Sequence, residues 1–331
     1  MATADQLKAL LRSHLEGDDR HFYAVAMQLA AHEAKQGHGR LAEELRELID
    51  AAKARRAMTD SPIPIARPKG ELAGLLTVSY PSCRLADMVL SAEVAQSLRR
   101  VLKEQRHISE LRSHGLHPRR KLLLVGPSGT GKTMTAAAMA GELGIPLFVV
   151  RLDSLITKFM GETAAKLRQV FDALQTTRGV YFFDEFDAIG SHRGMANEVG
   201  EVRRILNSFL LMIEQDDSSS VIVAATNQPT ILDQALFRRF DDVIEYHAPT
   251  RDEIRELLRV RLGKYQRTIK AWDELVGAGD GLSHAEISRA IDDAIKDAVM
   301  ADQDTVAPQA LLEQLGRRQV MKQRGAARLE D

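Results

Sequence analysis

Gly126-Pro127-Ser128-Gly129-Thr130-Gly131-Lys132-Thr133 is the stretch on which the reading of this chain turns. It fits the pattern G-x-x-x-x-G-K-[ST], with the apolar run Lys121–Val125 directly before it and an amphipathic pattern over about 132–143 directly after it. The chemistry explains the residue types. Glycines let backbone N–H groups converge on phosphate oxygens, and a helix N-terminus adds the positive end of its dipole. Lys132 is placed to reach β- and γ-phosphates, and the Thr133 hydroxyl to take a Mg²⁺ position. A glycine turn of no chemical use would not need this strand–loop–helix setting, so Gly126 to Thr133 are expected to bind phosphate groups.

Working outward, short apolar strands alternate with helices, the signature of a parallel sheet with crossover helices. Five strands are predicted at Lys121–Val125, Pro146–Leu152, Val180–Asp184, Val221–Thr226 and Val243–Tyr246. Helices are expected between them at about 132–143, 162–176, 197–215 and 231–237. After Pro249 the strand pattern stops, and helices at about 251–262, 284–300 and 308–320 form a small helical unit. One strand, Val180-Tyr181-Phe182-Phe183, runs into Asp184-Glu185. Two adjacent carboxylates could be a helix cap, but beside a phosphate loop Asp184 is placed to hold a hydrated Mg²⁺ and Glu185 to polarise an attacking water.

The length and composition fit a folded chain of about two domains with a sizeable core. The chain has 331 residues, 44% hydrophobic and 27% charged, which fits neither disorder nor a disulfide-dependent miniprotein. With 45 Lys+Arg against 46 Asp+Glu the net charge is −1, so nucleic acid held by bulk positive charge is not expected. Three short basic clusters, Arg99-Arg100, Arg119-Arg120-Lys121 and Arg317-Arg318, lack the interleaved aromatics that stack on bases. A lone Cys83 forbids an internal disulfide and a thiolate metal cluster, in keeping with a reducing cytoplasm. No apolar run is long enough to read as a signal peptide or membrane span.

The first sixty residues follow a 3.6-residue apolar rhythm broken at Gly17 and at Gly37-His38-Gly39, which predicts a three-helix N-terminal domain over 1–60. Three prolines in Ser61–Gly70 argue for a linker, taken as 61–83. The large α/β domain is then expected over 84–248 and the small helical subdomain over 249–331.

From Arg84 to Arg324 the motifs resemble the classical AAA branch of the AAA+ ATPases. Arg84-Leu85-Ala86-Asp87-Met88-Val89 is similar to the segment that packs near the adenine, and Ala225-Thr226-Asn227 to sensor 1, in which Asn227 positions the attacking water. Leu232–Asp241 resembles the second region of homology, in the shortened form of the meiotic group, with Arg238 next to Arg239. The resemblance implies that these arginines reach a neighbouring subunit's nucleotide, and it leaves open how the two divide that role; a surface salt-bridge pair is the alternative. Gly281-Leu282-Ser283-His284-Ala285-Glu286-Ile287 is similar to the stretch opening the lid's penultimate helix, with Ala285 where other branches carry the sensor-2 arginine and His284 in place of a glycine. Lys158-Phe159-Met160-Gly161 resembles the first pore loop, whose aromatic ring and thioether suit sequence-tolerant gripping of extended polypeptide. A second pore loop could lie in 191–200.

The first seventy residues, around His32–Gly39, resemble small bacterial AAA ATPases encoded beside subtilisin-like serine proteases. A metalloprotease H-E-x-x-H reading of His32-Glu33 fails because its second histidine would fall at Gln36. Together these resemblances imply a cytoplasmic, ATP- and Mg²⁺-dependent protein remodeller or unfoldase. It would be a homohexamer without a membrane segment, acting on polypeptide and partnering a separate subtilisin-like protease in a bacterial defence or maintenance pair. The alternatives are a nucleotide-dependent regulatory switch without threading and a nucleic-acid remodelling ATPase.

Overall fold

The structure is a computed structural model that describes residues 70–155, 160–186, 198–231 and 237–327, with the isolated positions 26, 27, 30, 43 and 68. Two compact units divide the chain, Met1–Ile65 and Ala66–Asp331. In the first, positions 26, 27, 30 and 43 are helical; the rest of the expected three-helix pattern lies outside the described residues.

Among the described residues, the second unit is built on one six-stranded sheet. In chain order the strands are β1 Leu76–Ser79, β2 Lys121–Val125, β3 Leu147–Val150, β4 Val180–Phe183, β5 Val221–Thr226 and β6 Asp242–Glu245, and in space they lie β1-β3-β4-β5-β2-β6. Five of them run parallel, as the alternation of strands and helices predicts. The expected five-stranded count needs correction. Leu76–Ser79, inside the segment read as a linker, is a sixth strand antiparallel to β3, with Leu76 opposite Val150 and Ser79 opposite Leu147. Helix α1, Leu72–Leu75, leads straight into it.

Helices cover both faces, which is why the parallel strands are apolar on both sides. They are α2 Ala92–Arg106, α3 Ile108–Ser113, α4 Lys132–Leu143, α5 Leu152–Leu155, α6 Met160–Thr176 and α7 Glu198–Gln215. Side-chain alternation splits each strand between two cores. Leu122 and Leu124 of β2 and Phe182 of β4 pack with Leu98 and Val101 of α2 and Met139 of α4. Leu123, Tyr181 and Phe183 face the other way, onto Val170 and Leu174 of α6 and Phe209 and Ile213 of α7. The helix expected at 231–237 falls mostly on positions outside the described residues, and Pro229–Ile231 forms a 3-10 turn.

Beyond Pro249 come α8 Arg251–Leu262, α9 Trp272–Gly279, α10 His284–Met300 and α11 Pro308–Ala327. Thr250 and Glu253 make a reciprocal capping box at the start of α8, and Ser283 and Glu286 make one at the start of α10. A third core holds these helices together, through Ile254 and Leu258, Leu275, Ile287 and Ile291, and Leu311 and Leu315.

Candidate active site

The glycine loop follows β2, one strand in from the β6 edge of the sheet. β2 lies between β5 and β6, so its C-terminal end is flanked on both sides. The loop leaves β2 at Gly126, whose N–H donates to the carbonyl of Thr226 at the end of β5, 3.2 Å away. Gly126, Gly129 and Gly131 have φ of 147°, 76° and 103°, all in the region that favours glycine. Thr130 Oγ1 donates to Pro127 O at 2.9 Å and closes the loop on itself. α4 begins at the next residue after Gly131, so its first N–H groups open toward the concave side of the loop. Lys132 is buried, and its ammonium donates to Gly126 O (2.8 Å), Pro127 O (2.8 Å) and Asn227 Oδ1 (2.7 Å). Sensor-like Asn227 and the loop lysine are therefore in direct contact.

Asp184 reaches the loop from two strands away, because β5 lies between β2 and β4. Thr133 Oγ1 donates to Asp184 Oδ2 at 2.9 Å, and the Glu185 N–H donates to Asp184 Oδ1 at 2.9 Å. A hydroxyl and a carboxylate this close are hard oxygen donors of the kind Mg²⁺ prefers, so the residues fit the ion. Glu185 is exposed and has φ of 49°, a left-handed backbone at a residue with a side chain. Such a conformation costs about 1–3 kcal/mol and persists only where neighbours enforce it. Here the next residue does so. Phe186 is fully buried, its ring centroid 4.6 Å from that of Phe209, which in turn lies 5.1 Å from Phe183 edge to face.

The small unit closes the site from the other side. The Ala285 N–H, in the first turn of α10, donates to Gly129 O at 2.9 Å. A Cβ on Gly129 would lie 2.7 Å from Ser283 Oγ, so only glycine permits this approach. His284 is next to that contact. Both its ring nitrogens are buried and lack a hydrogen-bond partner among the described residues, and burial pushes the imidazole below its ordinary value against the opposing pull of Glu253.

Between the sheet and α10 lies a cavity of about 510 Å³, within the ~300–1,000 Å³ of small-molecule sites. It is lined by Ser128 to Thr133, Asp184, Glu185 and Asn227, and by the apolar Met88, Val89 and Leu257. Of the Arg84–Val89 segment, Asp87, Met88 and Val89 line the cavity. Leu257, Arg261, Ser288 and Arg289 also line it and were not anticipated. Their signal was the helical repeat, since Leu257 and Arg261 on α8, and Ala285 and Arg289 on α10, are four residues apart and share a face.

Arg238 and Arg239 are not among the residues that line the cavity. Arg238 is exposed and has no ion pair among the described residues, while Arg239 Nε lies 2.8 Å from Glu214 Oε1 on α7. Met160 and Gly161 open α6; Lys158, Phe159, 191–197 and 232–236 lie outside the described residues.

A glycine loop after β2, a lysine at its helix start and a carboxylate pair at the end of β4, with one strand between, define a P-loop nucleoside triphosphatase. Residues 122–248 match the family model described as "ATPase family associated with various cellular activities (AAA)". The chain is 38% identical over 299 residues to "Uncharacterized AAA family ATPase y4kL" of Sinorhizobium fredii, a match covering 89% of each protein. It therefore belongs to the AAA family of ATPases, and ATP hydrolysis is its activity. It is also 31% identical over 253 residues to "ATP-dependent zinc metalloprotease FtsH 1" of Sphaerobacter thermophilus and 33% identical over 261 residues to FtsH 2 of Bdellovibrio bacteriovorus. These matches take in 74% and 72% of this chain but 39% and 42% of the metalloproteases. Among the described residues no helix is long and apolar enough to cross a membrane.

Proposed function

We propose that this chain is an ATP-driven remodeller of polypeptides that acts in the cytoplasm as a ring of identical subunits, a hexamer by resemblance. The observation that carries this is the hydrogen bond from Ala285 N to Gly129 O. Through it, whatever the loop holds bears directly on the position of α10 and the small unit, which is how hydrolysis would become movement.

At the site, Gly126 to Lys132 would bind the phosphates, Thr133 and Asp184 would hold a Mg²⁺, and Asn227 would orient a water for Glu185 to polarise. The ion, when bound, supplies positive charge to the β- and γ-phosphate oxygens. Arg238 is the better placed of the two arginines to serve a neighbouring subunit, because Arg239 is already paired with Glu214. Phe159, flanked by Lys158, Met160 and Gly161, would grip the threaded chain. The relatives named as ATP-dependent metalloproteases favour a polypeptide substrate and a link to proteolysis. The partner in proteolysis would be a separate subtilisin-like serine protease engaged by residues 1–60.

A nucleic-acid substrate is not supported, because the basic clusters are largely neutralised within the chain. Arg100 and Arg119 pair with Glu104, Arg119 also with Asp242, Arg120 with Asp216, Arg317 with Glu313 and Arg318 with Asp293. Phe159→Ala tests the remodelling reading. ATP hydrolysis should persist while unfolding of a tagged polypeptide is lost; intact unfolding would favour a nucleotide switch that does not thread.

A further inference from the structure

One residue at the end of β6 touches both ends of the phosphate loop. The backbone N–H of Tyr246 donates to Val125 O at 2.7 Å, carrying the β2–β6 ladder to the last residue before the loop. Its carbonyl lies against Gly126, where a Cβ would come within 2.2 Å of Tyr246 O. Its phenol oxygen is 2.6 Å from Thr135 Oγ1, and the Thr135 hydroxyl is 3.1 Å from Gly131 O. A carbonyl only accepts, so Thr135 donates to Gly131 and the phenol donates to Thr135. Both side chains are enclosed, Thr135 fully and Tyr246 with 4% exposure, and a hydrogen-bond chain in such surroundings is worth more than in water. Burial raises the phenol to about 12, so it keeps the proton it donates. Neither residue belongs to the G-x-x-x-x-G-K-[ST] pattern, which ends at Thr133.

We infer that Tyr246 is a positioning residue for ATP binding: it clamps the first glycine of the phosphate loop by its backbone and the last by the chain Tyr246 to Thr135 to Gly131. Five residues on, α8 begins, so the loop and the small unit share this anchor. The inference rests on Gly126–Thr133 being the loop that holds the phosphates of ATP. Phosphate-binding N–H groups act only when held close to their productive geometry, and the Gly131 end immediately precedes Lys132 and Thr133.

The test measures ATP affinity by calorimetry on the full chain. Tyr246→Phe should weaken binding about five- to tenfold, the value of one lost hydrogen bond. Thr135→Val should weaken it at least as much, and the double variant no further, because both break one chain. Thr135→Ser, which keeps the hydroxyl, should stay within about twofold of wild type. A merely structural role would lower the melting temperature and leave affinity in Tyr246→Phe unchanged, and that result overturns the inference, as would additive effects in the double variant. If Tyr246→Phe does not fold, Thr135→Val against Thr135→Ser decides: equal affinities overturn it. A wild-type affinity in Lys132→Ala would instead overturn the loop assignment underneath.

Discussion

Glu185 and His284 show how single residues here are held in states that water would not favour. Glu185 keeps a left-handed backbone because Phe186 beside it is locked into the aromatic cluster with Phe209. Phe186→Ala should cost about 3–5 kcal/mol in chemical denaturation and lower kcat more than it alters KM, since it frees the carboxylate without touching the loop. A fall in KM-linked binding alone would contradict that link. Burial lowers the proton affinity of His284 against the opposing pull of Glu253. In the unfolded chain an imidazole takes up its proton near pH 6.5, so below that value the unfolded state binds more protons and folded stability is lost as pH falls. The drop in melting temperature from about pH 7.5 to about pH 5.5 should therefore be smaller in His284→Gln than in wild type; an equal drop would show that His284 does not contribute. Of the residues in the cavity, Lys132 and Thr133 were legible from a motif of fixed spacing, Asp184 and Glu185 from the end of an apolar strand, and Asn227 through the family resemblance. Arg261, Ser288 and Arg289 carry no motif, and only the packing of α8 and α10 against the loop makes them neighbours of the site.

At the scale of elements, what could be read depended on whether the ends were marked locally. α4, α8 and α10 have the bounds expected from sequence, and each starts at a cap: Gly131, Thr250 with Glu253, and Ser283 with Glu286. β1 was not legible. It is four residues long, follows a four-residue helix, and owes its state to pairing with β3, which lies some seventy positions along the chain. α9 was missed for another reason, since Gly277 and Gly279 weaken its local propensity, and Leu275 and Val276 hold it by burial in the third core. Caps are also testable. Thr250→Ala should cost about 1 kcal/mol by loss of its bond to the Glu253 N–H, read as a shift of the denaturation midpoint with unchanged slope.

For the whole molecule, part of the near balance of 45 basic and 46 acidic residues is matched within the chain, with Arg120 on buried Asp216 at the sheet's far end and Arg261 on Asp292 in the small unit. Arg238 is left out of that pairing among the described residues. If it serves a neighbour, Arg238→Ala should retain ATP binding and lose hydrolysis by about 10³-fold or more, while Arg239→Ala should be milder. Mixing Arg238→Ala with Lys132→Ala chains should restore part of the rate, because the second kind lends its arginine to the intact loop of the first. No recovery would place Arg238 in its own subunit's structure rather than at a shared site. The central claim, that the carboxylate at the end of β4 activates the water at this loop, is tested most directly by steady-state ATP hydrolysis in Glu185→Gln. A loss of about 10²–10⁴-fold is predicted for removing a general base. Hydrolysis at the wild-type rate would contradict it.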